Sequence, residues 1–148
     1  MTSAGGVNGA NGVASIRLVD AAFSDLLGPS GEFGHREHIH LAWRELREHD
    51  RAVALDRIEA AIRHVAAAHG APDKYHRTIT ETWVALVHHH LTEAPALGFD
   101  EFLERFPGLL DPGLLGRHFS RELLAAPAAR AGSVAPDLRP LPSHAQPA

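Results

Sequence analysis

Histidines supply the chemistry this sequence could do. The segment His35-Arg-Glu-His38 sets two imidazoles at i and i+3, on adjoining helix surfaces and close enough to share an ion. His76 follows Tyr75 and precedes Thr78 and Thr80, and His69 stands just ahead of Gly70. The chain of 148 residues has 12 histidines, more than its Phe, Tyr and Trp together, and no cysteine. Disulfides, thiolate zinc sites, Cys nucleophiles and iron–sulfur clusters are therefore excluded. Any metal must be held by imidazole nitrogen and by oxygen. Neutral imidazole suits iron, copper, zinc and nickel.

Helices must position these residues. Apolar residues recur at 3–4 spacing in Ile16, Val19, Phe23, Leu26 and Leu27, predicting a helix over 15–27 that ends at Gly28-Pro29. Its first half also alternates as a strand would, but the later spacing fits only a helix. A second helix is expected over 34–48, with Ile39, Ala42, Trp43 and Leu46 on one arc. Asp50 can cap a third over 51–69, with Leu55, Ile58, Ile62 and Val65 inward and Gly70 as its stop. Asp73 is the expected cap of a fourth over 74–90, carrying Tyr75, Ile79, Trp83, Leu86 and Val87 inward. A short helix over 100–106 follows. Asp111-Pro112 then starts a last helix to about residue 126. The expected fold is all-α, a compact bundle of five to six helices.

Helices joined by short loops are usually antiparallel neighbours. The starts of the second and fourth helices then share one end of the bundle with the finish of the third. His35, His38, His69 and His76 are expected to converge there, on or beside the apolar arcs. His35, His38 and His76 are the expected metal ligands, with His69 as a fourth. His69 could instead contact the end of its own helix. Tyr75, Thr80 and Glu45 are the expected residues for orienting ligands or substrate. Glu37 lies off the arc and is a poor ligand candidate. His88-His89-His90 diverge by 100° per residue and read as a solvated helix end. His118 and Glu122 read as a surface pair, and Trp43 and Trp83 as core or pocket wall.

Composition sets the frame. Charged residues make up 22% and the formal net charge is −4, which argues against a nucleic-acid surface built on bulk positive charge. No apolar run approaches the roughly 18 residues of a membrane span, and no signal-like segment opens the chain. A cytoplasmic location without membrane contact is the expectation. Residues 1–13 are expected to be a flexible head, 14–126 the helical domain and 127–148 a Pro-rich extended tail. The oligomeric state is left open, a homodimer included. No Walker A, G-x-G-x-x-G, G-x-S-x-G or H-E-x-x-H motif is present.

The segments Phe33-Gly-His-Arg-Glu-His-Ile39 and Tyr75-His-Arg-Thr-Ile-Thr80 resemble a group of small, uncharacterised bacterial helical proteins with F-x-H-x-x-H-[LI] and Y-H-x-T-[IL]-T segments. The likeness covers roughly residues 30–142. It implies a single helical domain whose special residues are His35, His38, His76, Thr78 and Thr80, with no known activity. Two functions are therefore expected. One is a metal-dependent enzyme with iron or copper, or else zinc, acting on a small molecule and leaning to redox chemistry. The other is a non-catalytic binding or interaction module with structural or pH-responsive histidines.

Overall fold

Each long helix begins and ends where its capping residues allow. The computed structural model describes residues 33–142; the 1–13 head, the helix expected over 15–27 and residues 143–148 lie outside them. Six α-helices occur among the described residues: α1 (His35–Glu48), α2 (Arg51–Ala68), α3 (Arg77–Glu93), α4 (Phe99–Arg105), α5 (Arg121–Ala125) and α6 (Pro127–Ala131). Three 3-10 turns, at Pro72–Lys74, Pro107–Leu110 and Pro112–Arg117, connect them, and no strand is present in that range. The fold is all-α, as expected. None of these helices is long and apolar enough to cross a membrane.

At the start of α1, the Glu37 carboxylate turns back and accepts the Gly34 N–H at 2.6 Å. Glu37 is buried by this capping role, although it lies off the apolar arc. Asp50 caps α2 by accepting the Val53 N–H at 2.9 Å. Gly70 closes α2 with φ +71°, a left-handed conformation that Gly adopts without strain. The Gly70 and Ala71 N–H groups then donate to the Ala67 and Ala66 carbonyls.

Helices α1, α2 and α3 pack on one another pairwise and carry most of the core. Ile39, Leu41, Ala42 and Trp43 of α1 meet Ala54 and Ile58 of α2 and Trp83 to Val87 of α3. Helix α4 adds Phe99, Phe102 and Leu103, and the 3-10 turns add Leu109 and Leu115. Helix α3 has the run Thr82 to Val87 buried almost all round, so it is the central element.

Two boundaries differ from the sequence expectation. The first is the start of α3. Asp73 lies within the Pro72–Lys74 turn, and the α3 cap is His76, whose Nδ1 accepts the Ile79 N–H at 3.2 Å. The second is the helix expected over 112–126, which is broken. Asp111 does start a helical turn at Pro112, accepting the Gly113 N–H at 2.9 Å. Asp137 then takes both the Ser120 N–H at 2.7 Å and the Ser120 hydroxyl at 2.6 Å. That N–H is lost to the ladder, and Ser120 caps α5 instead.

The expected extended tail begins with helix α6, where Pro127 occupies the first turn and its missing N–H costs nothing. Ala129 and Leu141 of this tail are buried. His118, expected at the surface, is buried too and donates Nδ1–H to the Arg139 carbonyl at 3.0 Å.

The α3 start is tied to this C-terminal arm. His76 Nε2–H donates to the Leu124 carbonyl at 2.7 Å, and the Thr78 hydroxyl donates to the Gly132 carbonyl at 2.7 Å. Removing both His76 bonds, to the Ile79 N–H and to the Leu124 carbonyl, in His76→Ala is expected to lower stability by roughly 2–4 kcal/mol in urea unfolding. His76→Asn keeps a capping oxygen but cannot reach Leu124, so it should recover about 1 kcal/mol of that loss. Wild-type stability in His76→Ala would contradict the bridging role.

Candidate functional site: the His38 cavity

A cavity of about 100 Å³ lies between the three long helices. Its walls are His38 and Ala42 from α1, Ile58 and Ile62 from α2, and Ile79, Thr80, Trp83 and Val84 from α3. Six of these are hydrophobic; His38 and Thr80 supply the polar groups. Concave, mostly apolar spaces with few polar groups are the usual form of small-molecule sites.

His38 is held on two sides. Phe33 meets its ring edge-on, with centroids 4.6 Å apart. The Gly34 carbonyl favours the protonated ring, and the neutral ring has one acceptor nitrogen. Burial, reinforced by neighbouring His35, lowers its pKa to about 4; Glu37 and the Gly34 carbonyl offset part of this. His38 is therefore a neutral acceptor at neutral pH.

Thr80 joins the cavity to a half-buried polar chain. Its side chain hydrogen-bonds the Tyr75 phenol, whose O–H donates to Glu59 Oε2 at 2.6 Å. Arg77 Nη1 donates to the same oxygen at 2.7 Å, and the Arg63 guanidinium lies 4.5 Å from the Tyr75 ring centroid. Burial and the Glu59 carboxylate push the Tyr75 phenol up to about 12. Burial pushes Glu59 up, but the Tyr75 and Arg77 bonds outweigh it and hold that carboxyl below its ordinary range. Tyr75 thus stays protonated as a donor and orients Thr80.

The expected four-histidine set is not assembled. His35 turns the other way, donating Nε2–H to the Leu109 carbonyl at 2.7 Å with its ring edge-on to Trp83. His76 has both nitrogens engaged, one by the Ile79 N–H and one by the Leu124 carbonyl. His69 is exposed at the α2 end and donates Nδ1–H to the Val65 carbonyl at 3.0 Å, the alternative its position allowed. Glu45 is buried but serves α2, taking Arg57 Nε at 2.6 Å with His49 Nε2 at 3.5 Å. Of the expected residues, His38 and Thr80 line the cavity and Tyr75 stands behind Thr80.

Among the described residues, the one group of three whose ligand atoms lie within 4.8 Å of one another is His89, His90 and Glu93. The His88–His90 run reads as divergent on its own. The signal lies in its partner: Glu93 is i+4 from His89 and i+3 from His90. Comparison of the chain with family models, with curated proteins and with solved structures finds no match.

The His38 environment fixes a pH dependence. Unfolded, the imidazole takes a proton near 6.5; folded, only near 4. Between those values the unfolded chain binds more protons, so the contribution is complete above pH 6.5 and lost as pH falls to 4. Its full size is on the order of 3 kcal/mol. His38→Gln should flatten this part of the stability–pH curve, leaving a residual slope from His90, whose pKa is also lowered, chiefly by burial. An unchanged slope in denaturant melts across that window would contradict the assignment.

Proposed function

We propose that this helical domain is a binding module for a compact, uncharged, mostly apolar molecule carrying one hydrogen-bond donor. The observation that carries this reading is the cavity itself: apolar on most sides, with a neutral His38 as acceptor and a Thr80 hydroxyl held by Tyr75. A charged ligand would meet no compensating charge on that wall. A His with a pKa near 4 is also a weak base, so it serves recognition better than proton abstraction at neutral pH. The metal-dependent enzyme, the other expected function, finds its support elsewhere, at His89, His90 and Glu93.

The cavity sets the size of the ligand. At about 100 Å³ it is smaller than the roughly 150 Å³ engineered cavity that takes benzene. Roughly five non-hydrogen atoms at about 1–1.5 kcal/mol each correspond to a Kd on the order of 3–200 µM. Pyrazole is a suitable probe, with a five-membered ring and one N–H donor. Its titration should shift the Trp83 indole resonance saturably in a nitrogen–proton spectrum. N-methylpyrazole, which lacks the donor, should bind at least about fivefold more weakly, the loss of one hydrogen bond. Ile62→Phe, which fills the cavity from a half-buried wall position, should abolish the shift. No saturation by about 10 mM pyrazole, or equal binding of both probes, would overturn the reading.

A further inference from the structure

The last turn of α3 brings three potential ligands together. His89 Nε2 lies 3.3 Å from Glu93 Oε1, and His90 Nδ1 lies 3.9 Å from Glu93 Oε2. A zinc ion with ligands at about 2.0–2.2 Å in tetrahedral array separates neighbouring ligand atoms by roughly 3.3–3.6 Å. The observed spacings lie in or near that range, and the second is too long for a hydrogen bond. His90 Nδ1 is buried and has no hydrogen-bond partner within 3.5 Å, a state that costs free energy unless something satisfies the nitrogen.

We propose that His89, His90 and Glu93 form a binding site for a divalent late transition ion of the zinc class. Two imidazoles and one carboxylate favour zinc, nickel or copper over magnesium and calcium, which prefer oxygen ligands throughout. Two imidazoles and one glutamate also leave a fourth position for water. Half-exposed Glu93 gives that position access to solvent.

The fold prepares this arrangement. Phe106 stacks on the His90 ring at 4.2 Å between centroids and 23° between planes, which fixes one ligand plane. The His89 and His90 rings meet edge-on at 5.0 Å. All three residues lie within one helical turn, so the ligand set forms with the helix and no loop has to be ordered. They also sit at the C-terminal end of α3, where the helix dipole favours a cation. The site is independent of the His38 cavity, and either could exist without the other.

The test uses the full chain, zinc sulfate and a competing metal-indicator dye. One equivalent of zinc is expected, with a Kd on the order of 1–100 µM, while magnesium and calcium should not compete. Glu93→Gln and His89→Gln should each weaken binding by more than about tenfold, with circular dichroism unchanged. His64→Gln, on α2, should leave it intact. Glu93 is half-exposed, so Glu93→Gln tests the site even if a histidine variant folds poorly. The proposal is overturned if no single equivalent binds, or if zinc affinity is the same in wild type and Glu93→Gln.

Discussion

One imidazole joins the central helix to the C-terminal arm. His76 accepts a backbone N–H of α3 through one nitrogen and donates to the Leu124 carbonyl through the other. This requires the neutral ring with its proton on Nε2. The bond pair satisfies one orphan donor at the helix start and one carbonyl near the end of α5. Around it, Thr78 accepts the Val134 N–H at 3.3 Å while donating to Gly132, and Arg130 donates to the Asp73 carbonyl at 2.7 Å. The first turn of α3 is thus the knot to which residues 124–134 are tied. Because the same helix supplies Ile79, Thr80, Trp83 and Val84 to the cavity, this knot also fixes one cavity wall.

The high histidine content acquires a physical meaning from this. A neutral imidazole is both donor and acceptor, with the two sites on opposite sides of a rigid ring, so it can bridge two backbone groups that a carboxylate, which only accepts, cannot. His35 to Leu109, His76 to Leu124 and His118 to Arg139 each tie one chain segment to another by a side-chain bond to a carbonyl. In a chain without cysteine, these bonds join segments that lie far apart in the sequence.

The fold was largely legible because its long helices follow local rules. Apolar spacing marks α1 and α2, Asp50 caps α2 and Gly70 stops it. The misreadings share a non-local cause. A cap rule based on Asp, Asn, Ser and Thr selects Asp73 over His76, whose capping pose is supported by Leu124, far along the chain. The break after residue 117 depends on Asp137, 17 positions beyond Ser120. For the site, a helical wheel places each Cβ but says nothing of the ring nitrogens. His35 and His38 lie 60° apart on that wheel, yet one bonds to the Leu109 carbonyl and the other lines the cavity. Engagement of the nitrogens, not direction alone, separates a structural histidine from one with capacity to spare.

The same criterion separates the two remaining chemistries. Around His38, apolar walls and a neutral ring make a place where a ligand gains from leaving water and needs only one complementary bond. Around His89, His90 and Glu93, a carboxylate and a buried, unsatisfied nitrogen make a place where a cation gains and an apolar ligand does not. The two occupy opposite halves of α3: Ile79 to Val84 border the cavity, and His89 to Glu93 form the final turn. Helix geometry at 1.5 Å per residue puts Thr80 and His90 about 15 Å apart along the axis. An ion at the second site is therefore too distant to touch a ligand in the first. Any coupling between them must pass through α3 itself, whose start is pinned by His76 and whose end is packed against Phe106.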